Sequence, residues 1–206
     1  MSPRSKKVSE QMRAESRAQI IAAARRLFAQ QGYFNSKVSD IAREAGMSQG
    51  NVYWYFSSKE EVLQAVLAEG FGAVENLVQE VEAYPGTSRE KLDYLIDRML
   101  ASYREQWEFF TISQTLLAHG GIPLLQELGF DTPQIGARLH HHLNTVFTQA
   151  RVEGLVADVD PNIHVMFFFS FLNGLVMIYG NDWPTLVPPE KVREGVLRLL
   201  GVDMTT

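Results

Sequence analysis

The stretch Lys37–Lys59, KVSDIAREAGMSQGNVYWYFSSK, decides the fold of this 206-residue chain. It reads as two short helices joined by a tight turn. Val38, Ile41, Ala42 and Ala45 recur at the spacing of one buried helical face. Gly46 breaks that run, since glycine accepts the left-handed backbone that ends a helix, and Ser48 is a preferred N-cap for a helix opening at Gln49. At about 100° per residue, Val52 and Phe56 fall on the inner side of the second helix. Gly50 and Trp54 fall on the outer side, between Asn51 and Tyr53. Aromatic side chains turned to water mark a surface that something covers. A protein interface or an overspilling core accounts for the aromatics alone. DNA accounts for more of the residues: Gln49 and Asn51 carry amides that pair with base edges, and Gly50 admits a close backbone approach. Tyr53, Trp54 and Tyr55 offer ring faces and N–H or O–H groups to thymine methyls and phosphates.

The order D-I-A, A-G, S, G, Y, Y-F, S-K-E, running from Asp40 to Glu60, closely resembles the DNA-binding segment of TetR-type transcriptional repressors. The likeness spans Ser36–Leu63 and is weak beyond the first third of the chain. It implies an all-helical homodimer with a three-helix N-terminal DNA-binding domain. A larger C-terminal helical domain would bind a small effector and dimerise through its last long helices, as a four-helix bundle from two subunits. It also implies that Lys59 contacts a phosphate. Ser39 departs from the pattern, standing where many relatives carry Arg or another long side chain, and Trp54 occupies a variable position.

Charge supports this division of labour. Residues 1–59 hold ten Lys or Arg against four Asp or Glu, a net +6, while the remainder holds nine against twenty, a net −11. Phosphate neutralisation supplies much of the affinity for DNA, and an acidic remainder disfavours docking by the other face. The chain has no cysteine, which excludes disulfides, thiolate chemistry and Cys-ligated zinc and is compatible with a reducing cytoplasm. Its polar start, MSPRSKKVSEQMRAESR, does not resemble a secretion signal. The longest apolar run, Val165–Tyr179, contains Ser170, Asn173 and Gly174; it reads as a buried helix, too short to span a membrane.

In chain order, residues 1–12 are expected to be a flexible basic arm, with Arg4, Lys6 and Lys7 near phosphates or merely solvated. Residues 13–59 form the helix-turn-helix domain, its first helix burying Ile20, Ile21, Ala24, Leu27 and Phe28. Tyr33 and Phe34 are expected to plug the small core, and Ser36 to cap the next helix with Lys37 and Ser39 in its first turn near the DNA backbone; with Ser48 they complete the expected DNA-binding set. Ser58 and Glu61 read as a reciprocal capping box, opening a connecting helix over 60–84 in which Gly70 and Gly72 allow bending or close packing. Pro85-Gly86 then marks the boundary of an effector-binding and dimerisation domain, 85–206. Helices are expected to about Gln106, from Trp107 to His119, over Leu124–Leu128, from an N-cap at Thr132 to Gly154, from Pro161 to Tyr179, and from Pro189 to Leu200. The fold class is all-α, with about nine or ten helices.

Within that second domain the dimer interface is expected on Leu139, Leu143, Phe147, Phe167, Ser170 and Gly174. A pocket for an apolar or aromatic effector is expected among Met99, Tyr103, Trp107, Phe110, Phe168, Phe171 and Met177, oriented by His119 or Asn173, although such stripes are more often plain core. His140, His141 and His142 diverge by about 100° each, so they cannot converge on one metal ion. No phosphate loop, nucleophile set or cofactor motif stands out, so neither a cofactor nor catalysis is expected. The expectation is a ligand-responsive repressor, cytoplasmic and associated with the nucleoid when bound to double-stranded DNA at a palindromic operator, without a membrane partner. Control by a protein partner, or no effector at all, is the alternative.

Overall fold

The computed structural model describes residues 3–203, with side chains from residue 10 onward. Among the described residues there is no strand. Ten helices of six or more residues and one four-residue helical turn carry the fold. The first three, α1 (Pro3–Gln31), α2 (Val38–Glu44) and α3 (Gln49–Tyr55), form the N-terminal unit, and α4 (Lys59–Ala83) leads out of it. The remainder comprises α5 (Ser88–Glu105), α6 (Trp107–Ala118), α7 (Ile122–Glu127), α8 (Thr132–Val152), α9 (Pro161–Tyr179), α10 (Trp183–Leu186) and α11 (Pro189–Leu199).

Helix α1 begins at Pro3 rather than near Arg13, so residues 3–12 are helical and not an arm. Periodicity gave no sign of this, and residues 10–15 are all exposed. Proline at the first helical position and a following run of Lys, Glu, Gln, Met, Arg and Ala favour a helix on propensity alone. The side chains of Arg4, Lys6 and Lys7, expected near phosphates or merely solvated, lie outside the described residues.

From Ile20 onward α1 has a core face. Ile20, Ile21, Ala24 and Phe28 pack with Ile41 and Ala42 of α2, Val52 and Phe56 at α3, and Val62, Leu63 and Val66 of α4 in one buried cluster. Tyr33 joins them at 5% exposure, whereas Phe34 stays 60% exposed and plugs nothing.

The same cluster continues without a break into the second unit. Val74, Leu77, Val78 and Val81 on α4 meet Leu92, Leu95, Ile96, Met99 and Tyr103 on α5 and Phe109 and Phe110 on α6. Helix α4 is thus the shared element of both units, a rod of 25 residues. Gly70 is where α6 touches it: a Cβ built there would fall 2.0 Å from the Phe109 ring. Gly72, by contrast, has nothing within 4 Å of that position, so of the two glycines only Gly70 serves close packing.

Local chemistry refines several helix starts. Thr87 caps α5, accepting from the Glu90 N–H at 3.3 Å, while the Glu90 carboxylate takes the Thr87 N–H at 2.8 Å. Helix α8 is capped by Asp131 rather than Thr132, the Asp131 carboxylate accepting from Gln134 N–H at 3.1 Å. Asp160 caps α9, with Pro161 in the first turn.

The apolar run of α9 reads from the sequence as a buried helix, and within the protomer only one side of it is covered. Val165, Phe168, Leu172 and Val176 are buried, while Ile163, Met166, Phe167, Met177 and Ile178 are exposed, Ile178 by 73%. The helical run Pro161–Leu186, 26 residues, is long and apolar enough in length and composition to cross a membrane. That corrects the expectation of a run too short to span. The turn Gly180–Asp182 and α10, neither foreseen, add to its length and bury Trp183 at 1% exposure.

Candidate nucleic-acid interface and effector cavity

The turn before α3 is built as its residues dictate. Gly46 sits at φ +65°, the left-handed conformation that a side chain disfavours. Its N–H donates to the Arg43 carbonyl at 3.1 Å and Met47 N–H to the Ala42 carbonyl at 2.8 Å, closing the end of α2. The Gln19 amide of α1 donates to the Ala45 carbonyl at 2.8 Å, tying this turn to the first helix. Ser48 then caps α3 through the Asn51 N–H at 3.1 Å. With Val52 wholly buried and Phe56 at 2%, the face bearing Gln49, Gly50, Asn51, Tyr53 and Trp54 is turned to solvent.

Two exposed arginines of α1 border that face, and sequence patterning missed both. The Arg13 guanidinium lies over the Trp54 ring at 5.1 Å, and Arg17 lies over Phe56 at 5.0 Å. Trp54 in turn meets the half-buried Tyr55 edge to face, with centroids 4.6 Å apart. A planar, always-charged guanidinium beside an amide-bearing helix suits phosphate contact. The charge split announced such cations, but only the path of α1 says which ones reach α3.

On the other flank, Lys37 and Ser39 are exposed at the start of α2. Lys37 is itself the N-cap, its N–H donating to Asp40 at 3.1 Å. Ser36 therefore does not cap α2; it is 2% exposed, donates to the Gly32 carbonyl at 2.7 Å and accepts from Gln31 at 3.2 Å.

Lys59 is placed differently from what the family likeness implied. Its ammonium donates to the carbonyls of Tyr33 and Ser36, both at 3.0 Å, and rests 4.1 Å from the centre of the Tyr33 ring. Burial holds its pKa below the usual lysine range, partly offset by the neighbouring Glu60. Beside it, the Tyr33 hydroxyl donates to Glu60 at 2.8 Å. Burial, then Glu60, drives the phenol well above its ordinary range. Glu60 is held low by its own backbone N–H and by that hydroxyl. This cluster fastens the α1–α2 connection to the first turn of α4. The expected capping box is only half formed: Ser58 accepts from Glu61 N–H at 3.2 Å, but the Glu61 carboxylate reaches Ser57, at 2.6 Å to its N–H and 2.7 Å to its hydroxyl.

In the second unit α4 to α9 line a half-open cavity of about 420 Å³. Of the residues expected to line it, Tyr103, Phe110 and Asn173 do. Tyr103 and Phe110 stack at 3.7 Å, and the Tyr103 hydroxyl donates to Asn173 Oδ1 at 2.7 Å. Burial keeps that phenol far above its ordinary pKa, hence neutral. The other expected residues lie elsewhere. Met99 and Phe168 are wholly buried in the core, Trp107 and Phe171 are half-buried away from the cavity, Met177 is exposed on the open face of α9, and His119 is exposed with its ring bonded to the Thr115 carbonyl at 2.8 Å. Phe71 of α4, Ile135, Leu139 and His140 of α8, and Phe169 of α9 line it instead. Of the remaining histidines in the triplet, His141 is exposed and His142 pairs with Glu82.

Leu143 and Phe147, expected at a dimer interface, are wholly buried within the protomer and cannot reach a second copy. Leu139 belongs to the cavity wall. Phe167 and Ser170 are exposed, and nothing lies within 4 Å of a Cβ at Gly174.

Residues 20–66 match the family model for bacterial regulatory proteins of the tetR family. They form a TetR-family N-terminal domain. A fatty acid metabolism regulator protein of Bacillus subtilis is 31% identical over 110 residues, 53% of this chain and 57% of that protein. The chain thus aligns with little more than half of that curated relative. A TetR family transcriptional regulator from Thermus thermophilus, PfmR, superimposes with a TM-score of 0.73 at 22% identity, over 89% of this chain and 98% of that one. The transcriptional regulator FadR from Bacillus subtilis, solved in complex with stearoyl-CoA, gives 0.67 at 24% identity over 89% and 96%. The whole chain therefore has the two-unit TetR-type helical fold. These relatives are regulators rather than enzymes.

Proposed function

We propose that the protein is a DNA-binding transcriptional regulator, a homodimer whose two α3 helices read a two-fold symmetric operator and which a small molecule in the α4–α9 cavity releases. The observation that carries this reading is the solvent-facing surface of α3, where Gln49, Asn51, Tyr53 and Trp54 stand over buried Val52 and Phe56 and beside Arg13. These groups hydrogen-bond to base edges and phosphates and make apolar contact in a major groove.

Dimerisation follows from the open stripe of α9. Ile163, Met166, Phe167, Ser170, Met177 and Ile178 share one helical face, too apolar to be left to water. The neighbouring face of α8 offers His141, Thr145 and Thr148, and Asn144 hydrogen-bonds to Asn162 at 2.9 Å across the two helices. A mixed surface of this kind suits an isologous helix bundle better than a lipid phase. Such a bundle suits two α3 helices that read half-sites about one DNA turn, roughly 34 Å, apart. On this reading the protein works in the cytoplasm, with the DNA.

Release acts through α4. The Gln64 amide donates to the Leu128 carbonyl at 2.7 Å and Glu75 pairs with Arg138 at 2.8 Å, so α4 is tied to the segments that frame the cavity. Its first turn is tied to the N-terminal unit by Lys59 and Glu60. A ligand that favours one setting of this rod by about 1–3 kcal/mol changes operator affinity several-fold to a hundredfold. The stearoyl-CoA held by the Bacillus subtilis FadR supports an effector with a long apolar part.

Selection of bound sequences from random duplexes by the full chain tests the reading. Enrichment of a two-fold symmetric site with half-sites about one helical turn apart is expected. Uniform enrichment without symmetry would overturn it.

A further inference from the structure

The walls of the main cavity carry no Lys, Arg, Asp or Glu. Outside it, Arg138 pairs with Glu75 and His142 with Glu82. Burying an unpaired ionised group among Phe71, Phe110 and Phe169 would cost several kcal/mol. The polar side chains that line the space are Tyr103, Ser113, Gln114, Thr132, His140 and Asn173. Tyr103 gives its only proton to Asn173 Oδ1, and Ser113 gives its own to the Phe110 carbonyl at 3.0 Å. Gln114 and Thr132 are half-buried and His140 is exposed, whereas Asn173 Nδ2, with two N–H groups and no protein partner among the described residues, is a donor held in position by a buried partner, Tyr103. The phenol is itself fixed by its stack on Phe110.

We infer that this cavity takes an uncharged, largely apolar molecule carrying an oxygen acceptor, a carbonyl or ether, which Asn173 Nδ2 recognises. The inference rests on the cavity being the effector site, and it is stated for binding alone, so that DNA recognition plays no part in its test. Asn173 is the specificity-determining residue and Tyr103 its positioning partner. An isostere lacking the acceptor leaves the amide N–H groups desolvated and unpaired, and that asymmetry gives discrimination. A ligand bearing a carboxylate or phosphates has to leave that group outside the aromatic wall.

Three probes of one skeleton separate these features: benzophenone, with a carbonyl between two rings; diphenylmethane, with a methylene in its place; and 4-benzoylbenzoate, which adds a charge. Calorimetric titration of the full chain without DNA is expected to show benzophenone binding roughly three- to tenfold tighter than diphenylmethane, the worth of one hydrogen bond. Benzoylbenzoate is expected to bind weakest. Asn173→Leu abolishes the difference between the first two probes, and Tyr103→Phe, which keeps the ring and frees the amide, reduces it. Helical circular dichroism checks that both variants fold, and Tyr103→Phe carries the test if Asn173→Leu does not. Equal affinity for benzophenone and diphenylmethane, preference for the carboxylate, or no binding of any probe would overturn the inference. A protein that selects an operator but fails here keeps its DNA-binding role and loses only this effector class.

Discussion

Gly70→Val is expected to destabilise the protein by about 1–3 kcal/mol, while Gly72→Ala, two residues along the same helix, is expected to stabilise it by about 0.5–1 kcal/mol. At Gly70 the first side-chain carbon would fall 2.0, 2.3 and 2.5 Å from three atoms of the Phe109 ring. That ring cannot swing away: it is 3% exposed and packed edge to face against Phe71 at 5.1 Å and Phe110 at 5.2 Å. Either α4 and α6 separate or the aromatic cluster repacks, and both lose contacts throughout a close-packed interior. At Gly72 there is only open space, so an alanine gains the helix propensity that glycine forgoes at no steric cost. Urea unfolding midpoints of the two variants, with slopes matching the parent, measure both effects. A Gly70→Val protein as stable as the parent would mean that α6 does not seat on α4 at that point.

Lys59→Met is expected to lower stability by about 1.5–3 kcal/mol and to leave the salt dependence of DNA binding unchanged. The ammonium is spent inside the protein, on the Tyr33 and Ser36 carbonyls and the Tyr33 ring. The magnitude is that of hydrogen bonds to a charged group, counted once for the pair because the site is only half-buried. Methionine keeps the stem that packs there and removes the charge. A lysine seated on a phosphate makes the opposite forecast, near-normal stability and a salt slope reduced by about one. Thermal unfolding together with binding titrations at several salt concentrations separates the two. A reduced slope with unaltered melting would return Lys59 to the DNA surface.

Legibility in the sequence followed the physics of each element. The turn at Gly46 and Ser48 and the inward pair Val52 and Phe56 were readable because turn chemistry and helical period are local. The solvent-facing set on α3 followed from them. The extension of α1 was not readable, since residues 10–15 are all exposed and an exposed stretch leaves no period. Lys59 showed its residue type but not its direction, because the carbonyls that capture it lie more than twenty positions away. The cavity was half readable for a similar reason. Met99 and Tyr103 share a face of α5, yet only the turn bearing Tyr103 reaches the empty volume. Leu143 and Phe147 belong to an apolar face of α8 whose partner turned out to be the protomer itself. Helical spacing reports that a face is covered; it does not report by what.

The central claim is that the outer face of α3 reads DNA. Tyr53 and Gln49 are the cleanest probes, since both are exposed, Tyr53 by 48%, and neither side chain makes a hydrogen bond within the described residues. The decisive measurement is the affinity of the Gln49→Ala, Tyr53→Ala double variant for the duplex that the parent protein selects, with melting temperature recorded alongside. The predicted result is binding weakened by at least about tenfold, with a changed base preference and unaltered melting. Parental affinity and preference in a fully folded double variant would contradict it.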